Sequence, residues 1–344
     1  MQTAPVILIA DPEPRTLEMI FEPDVLARLG SLGRLVIHAD GSLLSPDELA
    51  EALSEAVIVI GQIDLDADRL ARMPKLRAIF NVEGNFLPNI NYPVCFDRGI
   101  HVLNISPVYA TSVAETALAM ALDLARGVTA THEAFRDASE AWGLASNAGC
   151  FLFTGSPIGI VGLGDLGRAL RRMLRPFRCK VRVYDPWLPP RLIEAEGCEP
   201  ATLDEVFTTS RVVFLFASST SQNQGFIGER ELSLMPDGAV LLVMSRAGIV
   251  DFQALERHLA TGRIRAGIDV FPVEPLEADS PLRRMNGVIL SSHRSGGMPE
   301  SFLEIGRLVL ADAELVLQGR PPQVCRRAER ETVALMRSRP VARS

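Results

Sequence analysis

The stretch Ile158–Arg168, IGIVGLGDLGR, constrains this chain more than any other. A short apolar run enters G-x-G-x-x-G and leaves in a helical pattern, which reads as strand, tight turn and helix. Gly162 permits the turn, Gly164 lets a phosphate approach the backbone, and Gly167 lets the helix pack closely on the strand. Beside Gly167, Asp165 and Leu166 open the helix, where free N–H groups and the macrodipole favour negative charge. A second strand, Val181-Arg182-Val183-Tyr184, ends in Asp185, 18 residues after Gly167. A carboxylate there accepts both hydroxyls of an adenosine ribose, so the ordered set predicts a dinucleotide site. The same carboxylate repels a 2′-phosphate, which favours NAD over NADP, with Arg191 close enough to keep NADP open.

The rest of the chain alternates short apolar strands with helical patterns, the signature of parallel sheets with crossover helices. At 344 residues the length suggests two domains. Strands are expected at Val6–Ala10, Leu35–His38, Val57–Gly61 and Leu76–Phe80, and Ser45-Pro46-Asp47-Glu48 reads as a capped helix start. Ser112 and Glu115 have capping-box spacing and open a helix that is apolar on almost every face through Arg126. A second series follows at Ile158–Gly162, Lys180–Tyr184, Val212–Phe216, Ala239–Met244 and Val288–Leu290. The expected fold is α/β: a Rossmann-type doubly wound parallel sheet domain, residues 107–298, inserted into a smaller flavodoxin-like α/β substrate domain. The latter comprises 1–106 plus 299–330, and 331–344 form a basic C-terminal tail. Helices starting near Ser112 and Pro299 would be the crossings, with the active site in the cleft between the domains.

Charge narrows the partners. The net charge is −7, yet from Arg320 to Ser344 there are seven arginines and two glutamates, a local +5 that leaves −12 on the first 319 residues. So acidic a body argues against nucleic acid as a partner. No apolar run reaches the ~18 residues of a membrane helix, and the N-terminus has no basic region before its apolar stretch. Five cysteines without a CxxC indicate neither a disulfide framework nor a zinc ribbon. The expectation is a cytoplasmic protein with no metal centre and no membrane partner.

From Met244 to Gly297 the chain reads MSRAGIVDFQALERHLATGRIRAGIDVFPVEPLEADSPLRRMNGVILSSHRSGG. Here it resembles the D-isomer-specific 2-hydroxyacid dehydrogenase family, whose pattern is an arginine motif, then DVFxxEP, then a histidine motif after a strand. Arg246 matches the arginine, Asp269-Val270-Phe271 and Glu274-Pro275 the acidic motif, and His293 the histidine; the likeness extends from about Lys75 to Gly297. The implied reaction interconverts a D-2-hydroxy acid and its 2-oxo acid. Reduction needs a proton for the carbonyl oxygen, and a histidine supplies one near working pH. A carboxylate orients the ring and stabilises its cation. A guanidinium binds a substrate carboxylate bidentately and polarises the carbonyl. His293 is thus the expected acid/base, Glu274 its partner and Arg246 the clamp. The resemblance further implies that Ser218, Ser245 and Asp269 lie at the cofactor, Asp269 at the nicotinamide end, and that the protein is a homodimer. Two rivals share the scaffold: an NAD-sensing corepressor-like protein, and a dehydrogenase acting on a donor other than a hydroxy acid.

Four departures from the family pattern stand out. Phe216 replaces a histidine at a strand end, Ala247 a glycine, and Arg294 an apolar residue beside His293. The fourth is the substrate loop, Val82-Glu83-Gly84-Asn85-Phe86-Leu87-Pro88 before Asn89-Ile90-Asn91, where Phe86 stands at the second glycine position. Glu83, Gly84 and Asn85 are the expected substrate contacts there, in a reshaped pocket.

Overall fold

The computed structural model describes residues 4–39 and 41–336. The chain divides into two compact units: one comprises the residues up to Tyr109 and those from Gly297 on, the other Ala110–Gly296.

In the first unit, β1 (Val6–Ala10), β2 (Arg34–His38), β3 (Ala56–Gly61), β4 (Ala78–Asn81) and β5 (His101–Asn104) form a parallel sheet. Its order, β2-β1-β3-β4-β5, is that of flavodoxin-like folds. β1 is apolar at every position because both faces are covered. Ile7 and Ile9 point to a cluster with Ile20, Leu29 and the Pro299–Leu317 helix, while Leu8 and Ala10 face Leu70, Met73 and Cys95. The helix Pro46–Glu55 starts as its sequence predicts, Ser45 and Glu48 each capping the other's backbone N–H.

In the second unit, β6 (Ile158–Val161), β7 (Val181–Tyr184), β8 (Glu199–Pro200), β9 (Val212–Leu215), β10 (Val240–Val243), β11 (Arg265–Ile268) and β12 (Val288–Leu290) pair in parallel, ordered β12-β11-β10-β9-β6-β7-β8. This is the doubly wound Rossmann order, and the strand order reverses between β6 and β9, where such sheets take their ligands. The helix Ala110–Arg126 packs on β10 and β11. Ser106–Arg126 is long and apolar enough to cross a membrane by length and composition alone, but 56% of that window is buried.

The structure corrects three expectations. Ser112 does not cap a helix; the helix begins at Ala110, directly after the 3-10 turn Ser106–Tyr109, and Ser112 is buried within its first turn. β5 and β11 are strands that were not anticipated; each is only four residues long, and Arg265 and Gly267 break the apolar pattern of β11. Residues 331–336 were expected in a tail, yet the helix Arg330–Val333 buries Val333, and β13 (Arg326–Arg327) pairs antiparallel with β5. The tail's remainder lies outside the described residues.

The turn after the Pro299–Leu317 helix hangs on one buried carboxylate. Asp312, 0% exposed, accepts the N–H groups of Gln323, Val324 and Cys325 at 2.6 to 3.2 Å. Asp312→Ala would strand these donors, so we expect a loss of about 3 kcal/mol in urea unfolding. A change below about 0.5 kcal/mol would show that the turn does not depend on it.

Candidate active site

The glycine loop is built as its spacing predicts. Gly162 has φ +93°, and a Cβ there would lie 2.7 Å from the Ala217 nitrogen at the end of β9. A Cβ on Gly167 would meet the Gly162 carbonyl at 2.6 Å, so both glycines are dictated by packing. Gly164 differs: nothing lies within 4 Å of a Cβ there, and it caps the Asp165–Leu174 helix. Protein packing does not require that glycine, which is how a position kept clear for a ligand's phosphate behaves. Asp165, Leu166 and Gly167 form the first turn of this helix, ahead of its first backbone bond, from the Arg168 N–H to the Gly164 carbonyl. Asp185 accepts the Leu163 N–H at 2.8 Å on one oxygen and the Trp187 N–H at 3.0 Å on the other. Each oxygen keeps a further lone pair, so the carboxylate can brace the loop and still accept a ribose hydroxyl. The residues present fit a dinucleotide.

The catalytic candidates form two local networks. β11 ends at Asp269, whose N–H is bonded to the Val243 carbonyl and whose carbonyl accepts the His293 N–H at 2.8 Å. The Asp269 carboxylate, 2% exposed, accepts the N–H groups of Arg294 at 3.2 Å and Ser295 at 3.4 Å. These bonds hold His293 at φ +52°, a conformation few residues other than glycine adopt. His293 Nδ1 then lies 2.7 Å from Glu274 Oε2, while Glu274 Oε1 accepts the Phe271 N–H at 2.9 Å. The His293 side chain is 47% exposed, so its other nitrogen can reach a reactant. In the second network the Ser245 hydroxyl donates to the Ala217 carbonyl at 2.7 Å, and Arg246 Nη1 donates to the Ser245 carbonyl at 2.5 Å. Ala247 and Ile249 are buried in the turn that follows, anchoring Arg246 beyond β10. Ser218 is exposed, and its carbonyl accepts the Asn223 amide.

Residues 118–295 match the NAD-binding domain of the D-isomer specific 2-hydroxyacid dehydrogenases. The D-3-phosphoglycerate dehydrogenase of Mycobacterium tuberculosis is 30% identical over 318 residues, 92% of this chain and 57% of that protein. The hydroxypyruvate reductase of Blautia hydrogenotrophica is 27% identical over 309 residues, 86% of this chain and 93% of that one. Among solved structures, a phosphoglycerate oxidoreductase from Rhizobium etli is 45% identical, with a TM-score of 0.86, covering 96% of this chain and all of that one. The chain belongs to the D-isomer-specific 2-hydroxyacid dehydrogenase family. Its cofactor is NAD. The chain spans 57% of the length of its mycobacterial relative.

Within this family member two expected contacts take other roles. Asp269, implied to sit at the nicotinamide end, is buried, and its two carboxylate oxygens accept the Arg294 and Ser295 N–H groups of the histidine loop. Glu83, expected to contact substrate, is 5% exposed and faces inward to Arg15: Nη1 lies 2.5 Å from Oε1. Arg15 Nη2 donates to the Tyr109 hydroxyl at 2.8 Å, and the guanidinium lies 5.4 Å from the centre of the Phe302 ring. Burial works against the Arg15 charge, but Tyr109 and Glu83 outweigh it and hold the guanidinium above its ordinary pKa. Gly84 rests on the Tyr109 ring, where a Cβ would lie 3.0 Å away, and the Asn85 carbonyl accepts the Asn81 amide. Phe86 packs edge-on to Tyr92. Arg15 was missed because it lies 68 residues from Glu83, in a segment with no motif of its own.

Arg15→Met would leave the Glu83 carboxylate buried and uncompensated. We expect a loss of about 3–5 kcal/mol, read by urea unfolding, with at least half recovered when Glu83→Gln is added. If the double variant is as unstable as the single one, the pair is not what holds this loop.

Proposed function

We propose that the protein interconverts a D-2-hydroxy acid and its 2-oxo acid, with NAD as the hydride carrier. The observation that carries this reading is the 2.7 Å contact of His293 Nδ1 with Glu274, which commits one ring nitrogen to a carboxylate and leaves Nε2 for the reactant. When bound, NAD supplies a hydride to one face of the carbonyl carbon or takes it back from the alcohol. His293 Nε2 gives its proton to the carbonyl oxygen in reduction and takes the hydroxyl proton in oxidation. Glu274 stabilises the ring cation and fixes the tautomer. Arg246, braced by the Ser245 carbonyl, binds the substrate carboxylate.

The substrate class follows from Arg294. This exposed cation beside His293 has a side chain without a bonded partner among the described residues, which favours a hydroxy acid with a second anionic group. The names of the phosphoglycerate-acting relatives agree with that choice. Gly84 and Asn85 are further assigned substrate contacts, through backbone N–H groups. We further propose a cytoplasmic homodimer formed through the NAD-binding unit. Its support is the set of exposed apolar side chains on that unit: Trp142 at 74%, Leu144 at 90% and Leu152 at 73%, with Phe135 edge-on to Trp142.

NADH consumption with 2-oxo acids tests the chemistry. His293→Ala should lower kcat about 1000-fold while NADH still binds; unchanged turnover would remove His293 from the mechanism. Arg294→Gln should raise KM for phosphorylated 2-oxo acids at least about tenfold and leave pyruvate or hydroxypyruvate nearly unaffected, since one charge-assisted bond contributes about 1.5–3 kcal/mol. Equal effects on both classes would count against the dianionic substrate.

A further inference from the structure

The first unit has an open surface pocket of about 320 Å³ whose polar side chains are all basic. Arg77 directly precedes β4, His101 opens β5, and Arg320 follows the Pro299–Leu317 helix; Val316 closes the floor. Among the described residues no acidic side chain lines it, and the side chains of Arg77, His101 and Arg320 make no hydrogen bond or ion pair. Elsewhere in this acidic protein arginines at helix surfaces find carboxylates, as Arg28 finds Glu314 and Arg307 finds Glu22. Arg77 and Arg320 are exposed and His101 is half-buried, so two guanidiniums and an imidazole converge on one pocket with their donors open to an anion.

The surrounding negative groups are spoken for. Asp312, the carboxylate nearest in effect to His101, is saturated by three backbone N–H groups. The carbonyls of Glu314, Leu315 and Val316 at the helix end accept the N–H groups of Gln318, Arg320 and Gly319. Arg327, on β13 beside β5, adds a fourth cation near His101. The cavity lies at the N-terminal ends of β4 and β5. The Glu83 loop leaves the opposite end of β4, about 13 Å away for a four-residue strand. It is therefore separate from the substrate loop of its own unit.

We propose that this cavity is an effector site for a small dianion of the phosphate class, held by the Arg77 and Arg320 guanidiniums with His101 as a third donor. Guanidinium forks match phosphate oxygens bidentately, and 320 Å³ accommodates a phosphomonoester of a few carbons. His101 adds a pH dependence with a definite sign. Burial, and then the charge of Arg327, hold its pKa below the ordinary value, with Asp312 opposing. A bound dianion opposes that shift and favours the protonated ring, so binding is coupled to proton uptake and tightens as pH falls.

Calorimetry on the full chain, saturated with NADH and carrying Arg246→Gln and Arg294→Gln to silence the substrate cations, tests this with inorganic sulfate, which does not titrate in the range used. We expect saturable binding of one sulfate per chain, at least tenfold weaker with Arg77→Gln and Arg320→Gln added, and at least threefold tighter at pH 6 than at pH 8. His101→Gln should abolish that pH dependence. Unaltered affinity in the Arg77→Gln, Arg320→Gln protein, or a non-saturating response equal to that of chloride, would overturn the site. Repeating the titration with inorganic phosphate and glycerol 2-phosphate at pH 8 separates the two sources: the same loss for both retains the phosphate class, tighter binding of the ester assigns the effector as a phosphomonoester, and no loss for either overturns it. The Arg77→Gln, Arg320→Gln pair in an otherwise unaltered chain should keep its basal kcat, which shows that it is folded.

Discussion

The buried carboxylate of Asp269 is the point on which the placement of His293 rests. Its N–H ties it to β10, its carbonyl holds the His293 N–H, and its oxygens take the next two amides. A non-glycine residue at positive φ costs about 1–3 kcal/mol and persists only where its surroundings over-determine it. Here three bonds to one residue do so, and the result is a ring placed against Glu274. The depth of Asp269 is in turn set by packing. Gly267, two residues earlier, lies where a Cβ would come within 2.6 Å of Leu242 and 3.1 Å of Met120. The close approach of the Ala110–Arg126 helix to β11 thus fixes the strand that carries the histidine's anchor.

Buried charge is handled in two ways. Asp269 and Asp312 are satisfied by backbone N–H groups, which stabilise an anion without adding a second buried ion. Glu83 and Arg15 instead form an ion pair, with Tyr109 taking a second guanidinium nitrogen. Such a pair contributes little net stability against an apolar replacement, but breaking one half is costly. Its consequence is geometric: Gly84 is held on the Tyr109 ring and the loop after β4 has one arrangement. The Glu83 charge is thus cancelled inside the unit rather than presented at the loop's surface.

What was legible in the sequence follows from how local each constraint is. Gly162 and Gly167 could be read because only glycine tolerates those approaches, and the requirement is written within ten residues. His293 and Glu274 were legible as a motif, although their contact closes over 19 residues. Ser112 misled because capping-box spacing is common, and the 3-10 turn before Ala110 already supplies the helix start. Glu83 was expected to contact substrate. Only the fold shows that Arg15, far away in sequence, draws it inward. The role of Asp269 was half legible: its position was plain, but the N–H groups it serves belong to a loop that the strand order brings back beside β11.

The opening charge count takes on a different meaning once residues are placed. A net −7 repels the anions this family handles, but that field is screened beyond about 8 Å at physiological salt. Capture therefore depends on what lies within that distance of the ligand. On the NAD-binding unit Arg294 is an exposed cation beside His293, and the first turn of the Asp165 helix presents backbone N–H groups. On the other unit Arg15 is spent on Glu83, while Arg77, His101 and Arg320 are unspent at the far end of the same sheet. Charge in this protein is thus segregated by distance rather than by sum. An arginine is paired with a carboxylate at the loop after β4, whereas the basic side chains at the opposite end of that sheet have none among the described residues.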